Sequence, residues 1–445
     1  MKHAQAIESL TENRPGGAYR WWVVFMLWFV CFFNYADRQA IFSMFPLLER
    51  ELGLSKAQLG IVGSAFMWVY AALAPLAGFI GDRSDRKFLI LGGCTFWSII
   101  TVMTGWATKF WHLVTFRALE GFGEAFYFPA SMSLISDYHG RRTRSRAMSF
   151  HQSSVYIGTI GGGALGGLFG QHYGWRVGFY VFGVSGLVLA VALWRFLREP
   201  VRGQAEDHAS RPGASDRPPP GVREVLGVIF RSPTALLLLL VFCGANFVAA
   251  MFLTWTPSFL SEKFQMNLAL AGLTGTLYIQ LASAAGAPFG GYLADRLSRR
   301  LPGGRMLTQM IGLAAGAPFV FITGTTFSVT SLIGAMTLFG FFKGMYDANI
   351  FASLYDVITP GARGTAAGVM NAVGWTGGAL APAVIGWVVS RAGSGREVGV
   401  MSRALATGGI VYLVSAMLLL IGILFFVRRD IERTGSSAGA ANVVD

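Results

Sequence analysis

Trp21 to Phe33 is an unbroken apolar and aromatic stretch, and runs of that kind recur along the whole chain with short polar breaks between them. A membrane-spanning helix needs about 20 mostly apolar residues. Spans are expected at 21–45, 58–80, 88–107, 110–135, 146–168 and 175–196, then at 235–258, 269–293, 306–324, 327–353, 364–388 and 405–427. The first, fourth and tenth hold charges in their interior. Charged residues make up 13 % of the chain and hydrophobic residues 53 %, whereas a soluble domain carries roughly 25 % charge. So apolar a chain cannot cover itself with a water-facing surface, and the reading is an all-α membrane protein with 12 transmembrane helices.

The stretch from Arg198 to Glu224, REPVRGQAEDHASRPGASDRPPPGVRE, is rich in proline, charge and small residues and cannot build a core. It separates six spans from six. The expected division is a cytoplasmic tail 1–20, an N-terminal six-helix bundle 21–196, a linker 197–234, a C-terminal six-helix bundle 235–427 and a cytoplasmic tail 428–445. The apolar run after the tail is longer than a signal-peptide core and lacks a small-residue cleavage site, so it is expected to stay as a helix.

The net charge of +13 does not indicate nucleic acid, because the basic residues sit in short breaks and form neither a stripe nor a tail. They orient the chain instead. The breaks after spans 2, 4, 6 and 8 carry Arg83, Arg86 and Lys87, then Arg141, Arg142, Arg144 and Arg146, then the linker arginines, then Arg296, Arg299, Arg300 and Arg305. The other breaks are nearly neutral or acidic, apart from Arg391, Arg396 and Arg403 near the last span. Both termini are therefore expected in the cytoplasm. Cys31, Cys94 and Cys243 lie inside apolar runs without metal-ligand spacing. No metal, cofactor or disulfide is expected. Nor does any nucleophile–base set suggest an enzyme, and the tails and linker are too short for the output domain of a sensor.

The halves repeat. GFIGDRSDRK follows the second span, with Gly78, Asp82, Arg83, Arg86 and Lys87, and GYLADRLSRR follows the eighth, with Gly291, Asp295 and Arg296. The glycine permits close helix approach, and an aspartate at a helix end can meet a neighbouring helix N-terminus or an arginine. One copy alone would read as a charged turn; two copies at matching positions argue for duplication. With this motif the chain resembles a major facilitator superfamily transporter over nearly its full length, departing at Asp85 and Ser298, where many members have glycine. The resemblance implies two six-helix bundles related by a pseudo-two-fold axis around a central cavity that opens to alternate sides. NYADR in the first span and FRALEGFGEAFYFPA in the fourth resemble the anion:cation symporter family, whose members mostly carry organic acids. The same first-span motif resembles the spinster-like transporters, some of which handle lysolipids.

Physically, Asp37 and Arg38 sit too deep in an apolar run to be a helix end, and charges at that depth pair or face water. Adjacent residues on a helix diverge by about 100°, so the two need separate partners. Arg117 and Glu124 are two turns apart on one face, with Glu120 between them. On a purely structural reading, Arg117 neutralises Glu120 or Glu124 and nothing titrates. The functional reading assigns Arg38 and Arg117 to an anionic substrate, through the planar guanidinium fork, and assigns the proton to Asp37 and Glu124. Organic-anion symporters imply the same roles at matching positions. Polar candidates for the cavity wall are Tyr35, Tyr70, Gln152, Tyr156, Asn246, Tyr278, Asn349, Asn371 and Trp375. Lys343 and Asp347 in the tenth span read either as a mutually neutralising pair or as part of a pocket or gate, and His151 as a gate residue. The expected activity is proton-coupled symport of a small organic anion, a sugar acid or other carboxylate, by a monomer in a bacterial inner membrane. Its expected partners are the anion, protons and membrane lipids. A spinster-like amphiphile transporter is the alternative.

Overall fold

The computed structural model describes residues 17–81, 84–140, 142–200, 222–359, 362–393 and 395–441. Among them every regular element is a helix. In chain order these are α1 (Gly17–Ser43), α2 (Phe45–Leu52), α3 (Lys56–Gly81), α4 (Arg86–Thr104), α5 (Phe110–Ala125), α6 (Tyr127–Tyr138), α7 (Arg144–Tyr173) and α8 (Trp175–Phe196). The second half continues with α9 (Val222–Arg231), α10 (Pro233–Phe264), α11 (Leu268–Ser298), α12 (Gly304–Thr325), α13 (Val329–Asp347), α14 (Ile350–Val357), α15 (Arg363–Ser390), α16 (Glu397–Phe425) and α17 (Val427–Ala441). Each expected span falls on one of these helices or on a broken pair.

Among the described residues, nine stretches are long and apolar enough to cross a membrane by length and composition alone. The first, fourth and fifth spans are not among them, and these carry Asp37 and Arg38, the Arg117–Glu124 cluster, and His151 with Gln152. The fourth span breaks at Phe126. Pro129 lies four residues beyond Ala125 and has no N–H to bond that carbonyl. The tenth breaks at Ala348 and Asn349 without a proline. There the Asn349 side chain donates to Met345 O at 3.0 Å, and a side chain that bonds nearby backbone competes with the helix ladder. The segment 197–234 contains a helix that its composition did not suggest. α9 buries Val225 and Ile229, and Ser232 then caps α10 by accepting from Ala235 N. Most of the remaining linker, Asp82, Arg83, Arg141 and the ends of both tails lie outside the described residues.

The internal repeat is in register. Helix α5 begins at Phe110 and α13 at Val329, and α7 begins at Arg144 and α15 at Arg363, both 219 positions later. The Arg86–Asp137 ion pair recurs as Arg305–Asp356 at the same spacing.

The two halves meet tightly at the end away from the termini. A Cβ on Gly60 would stand 2.3 Å from Pro382 O, and one on Gly272 only 2.0 Å from Gly163 O. Glycine lets the α3–α15 and α7–α11 backbones touch, as small residues do between membrane helices. Across this end Lys56 is hydrogen-bonded to both Glu49 and Glu262, Ser64 Oγ accepts from Ala383 N at 3.1 Å, and Gln39 donates to Leu253 O at 2.8 Å. At the terminal end, among the described residues, Arg86 pairs with Asp137 and Glu199 and Arg305 with Asp356, each within its own half.

Candidate functional site

Two helices of the first half, α1 and α5, place charge in the interior. On α1, Asp37 and Arg38 point in different directions, as their adjacency requires, Asp37 to α4 and Arg38 to α5. Arg38 Nη2 lies 2.6 Å from Glu124 Oε2 on α5, and its Nε donates to the same oxygen at 3.2 Å. Nη2 also donates to Asn34 Oδ1 at 3.2 Å, one turn back on α1. Aromatic rings surround the guanidinium, with centroids at 4.4 Å for Phe66, 4.5 Å for Tyr35, 5.3 Å for Tyr70 and 5.7 Å for Trp375. Trp375 comes from α15, so the second half closes one side of this cage. Cation–π attraction is strongest where water is excluded, and Arg38 is buried.

A second pair lies behind the first. Arg117 Nη1 is 2.5 Å from Glu120 Oε2, one turn along α5, and its guanidinium lies 5.0 Å from the Phe66 centroid. Phe66 therefore packs against both guanidinium groups. Thr101 Oγ1 on α4 donates to Asp37 Oδ2 at 3.1 Å, and Thr104 Oγ1 donates to Glu120 Oε1 at 3.4 Å. The cluster is dry: Arg117 and Glu120 are fully buried and Glu124 is 1 % exposed. Even so, Asp37 Oδ1, Arg38 Nη1, Arg117 Nε, Glu124 Oε1 and Asn34 Nδ2 are buried without a hydrogen-bond partner among the described residues. Buried polar groups are normally satisfied, so five orphans in one cluster single it out.

The sequence positions thus separate into a front pair, Arg38–Glu124, beneath the aromatic cage, and a rear set of Arg117, Glu120 and Asp37. Arg117 turns to Glu120, while Glu124 reaches α1. Phe66, Thr101 and Thr104 escaped the sequence reading. Thr101 and Thr104 are three apart in an otherwise apolar helix, a one-face polar spacing that could have flagged them. Phe66 had no such signal.

The other candidates scatter. Gln152 and Asn371 are exposed, and Tyr156 and Tyr278 half-buried. Asn246 donates to Phe242 O of its own helix at 2.9 Å, and Asn349 serves the break in the tenth span. Lys343 and Asp347 pair at 2.5 Å. They line a cavity of about 240 Å³ with Phe242, Asn246 and Phe351. His151 is buried, 3.0 Å from the Tyr127 hydroxyl. That hydroxyl donates to Leu27 O at 2.7 Å, so it accepts from His151 and the hydrogen sits on Nε2. The two loop motifs differ. Arg86 is buried and Lys87 Nζ donates to Trp194 O at 3.2 Å, whereas Asp295 and Arg296 are exposed. Gly78 lies near the end of α3 and Gly291 in α11. Asp137 pairs with Arg86 inside its own half.

A helical membrane fold with repeated halves, sealed at one end and carrying buried ion pairs within its first half, is the architecture of a solute transporter. The chain belongs to the Major Facilitator Superfamily, whose profile matches residues 27–382 and 259–443, and it is a membrane transporter of that fold, not an enzyme. It is 28% identical over 337 residues to human "Protein spinster homolog 1", covering 72% of this chain and 62% of that protein. It is 27% identical over 418 residues to the "Probable galactarate/D-glucarate transporter GudP" of Bacillus subtilis, covering 87% of this chain and 89% of that one. The crystal structure of a bacterial homolog to human lysosomal transporter, Spinster, in an inward-facing and occupied conformation matches its fold at TM-score 0.78 and 21% identity, over 93% of this chain and 99% of that one.

Proposed function

We propose that this chain is a proton-coupled symporter of a small organic anion, a sugar acid or another carboxylate. The observation that carries the reading is the Arg38–Glu124 pair, caged by aromatic rings, with Arg38 Nη1 and Glu124 Oε1 both unpartnered. A guanidinium with a free edge can accept a second carboxylate in planar geometry. An arriving solute carboxylate competes with Glu124 for Arg38. A buried carboxylate that loses its cation is better accommodated with a proton. Entry of the anion thereby loads a proton on Glu124, and departure of both restores the internal pair. Asp37, which among the described residues accepts a hydrogen bond from Thr101 alone, is the second proton position, and Arg117–Glu120 beside Phe66 holds the field of the site constant. Names of relatives such as GudP favour a sugar acid.

With the termini in the cytoplasm of a bacterial inner membrane, the sealed end is periplasmic and the chain is in its inward-open state. The test is uptake of labelled sugar acids into proteoliposomes driven by an inward proton gradient. Accumulation that collapses with a protonophore supports the reading; anion uptake indifferent to the proton gradient overturns the coupling.

A second reading, transport of an amphiphile as in spinster-like proteins, draws on one feature. An apolar groove of about 690 Å³ beside α1 is lined by Tyr19, Trp21, Trp22, Phe25 and Phe150. Competition of a lysolipid, but not of a sugar acid, for the Arg38 cage would favour it.

A further inference from the structure

The repeat register assigns each half a counterpart in the other. At the spacing of 219 positions, Glu124 corresponds to Lys343, Gln152 to Asn371 and Tyr156 to Trp375, while Arg117 and Glu120 correspond to Met336 and Phe339. The second half therefore lacks the rear ion pair, and where the first half presents a carboxylate it presents an ammonium. Lys343 is paired with Asp347, one turn on, at 2.5 Å.

This pair is not sealed in helix packing. It lines the cavity of about 240 Å³, and the Asp347 side chain is 39 % exposed. A water molecule takes about 30 Å³ of liquid volume, so a carboxylate-sized group fits. Asn246 lines the same cavity. Tyr156, from the first half, lies within electrostatic reach of both Lys343 and Asp347.

The cavity and the Arg38 cage are linked through neighbouring residues of α15. Trp375 stands over Arg38 and packs on Tyr70 at 4.8 Å between ring centroids. Its neighbour Gly374 lies against two residues that line the Lys343 cavity: an added Cβ would stand 2.3 Å from the Phe242 ring and 3.1 Å from Asn246 Nδ2. Consecutive residues of α15 thus touch the cage on one side and the cavity lining on the other.

We propose that Lys343 is a second anion-binding position and that the transported solute is a small dianion, with one acidic group on Arg38 and the other on Lys343. The inference rests on the anion-symporter reading and narrows it to a class of substrate. Among the described residues the Lys343 ammonium has a single carboxylate partner, Asp347, so an acidic group of the solute displaces one carboxylate only. Asp347, once displaced, is already open to solvent and needs no new partner. The ammonium suits this position because it is a compact point charge on a flexible stem, able to follow the solute as the halves move.

Affinities of the purified full-length protein would be compared for matched pairs: D-glucarate against D-gluconate, and adipate against hexanoate. The expected result is at least about tenfold tighter binding of the dianion, a difference of about 1.4 kcal/mol. The variant K343M/D347L removes both charges together, so no unpaired ion is left behind. It should lose the dianion preference and keep its affinity for the monoanion. K343R/D347E should retain the preference. A preference unchanged in K343M/D347L, or tighter binding of the monoanion by the unmodified protein, would overturn the proposal. An equal loss of both ligands would mark the pair as merely structural and overturn it as well. Arg38→Ala separates the two levels of inference. If it abolishes binding of both members while Lys343 proves indifferent, the symporter reading stands and this one falls. If neither member of any pair binds the unmodified protein, both fall.

Discussion

The two halves share a register and differ in what they bury at corresponding positions. In the first, α5 carries Arg117, Glu120 and Glu124 into a dry cluster closed by Asp37 and Arg38. In the second, the same turns of α13 carry Met336 and Phe339, both buried, and then Lys343. Ion pairs sealed from water bring little net stability, because desolvation consumes most of the attraction. The second half shows that the fold packs with apolar residues at two of these three places. The charges of the first half are therefore better explained by function than by folding. Lys343, with an exposed partner, is the point at which the second half departs from pure packing.

The comparison can be broken most severely at the rear pair. Glu120→Leu leaves Arg117 buried and unpaired, with an expected loss of about 3–5 kcal/mol, readable as a large drop in Tm in detergent. R117M/E120L, which approximates the residues of the second half, should recover most of that loss. If the double variant is as unstable as the single one, the rear pair does more than neutralise itself.

The next largest effect is expected at the front pair. Glu124→Gln should abolish pH-driven accumulation while leaving anion exchange largely intact, since Arg38 keeps its solute. Normal accumulation by E124Q in proteoliposomes would remove Glu124 from the proton path. Thr101→Val strips Asp37 of its hydroxyl donor, and uptake should show a shifted pH profile without loss of maximal rate. An identical profile would make Thr101 mere packing. The smallest effect concerns the sealed end. Lys56→Met removes the cation joining Glu49 to Glu262 and should increase cysteine accessibility from that end by a few fold, because Gly60, Gly163 and Gly272 still hold the backbones together. Unchanged accessibility would assign closure to the glycine seams alone.

Much of the fold was legible along the chain, since each apolar run falls on a helix. The helices overrun the runs where polar residues continue past them: α10 extends to Phe264 beyond an expected end at 258, and α16 starts at Glu397 ahead of an expected 405. The break at Phe126 had a visible cause in Pro129. The one at Asn349 did not, because it depends on a side chain choosing Met345 O. Within the site, residue types were legible and pairings were not. Spacing along α5 allowed Arg117 to meet Glu120 or Glu124, and only the arrival of Arg38 from α1 decided between them.

By itself the sequence determined that this chain lives in a membrane, that its halves repeat and that charges lie inside its first, fourth and tenth spans. Those properties follow from local apolarity and register, which any stretch carries with it. The tertiary structure alone decided that Phe66 meets two guanidinium groups and that Trp375 closes the cage on Arg38. It also decided that the halves seal at one end. These depend on how each helix is rotated and how closely it approaches its neighbours, as where Gly121 on α5 lies against the Phe66 backbone. Such approach is a sum of many weak contacts between distant segments, and no single stretch of the chain encodes it.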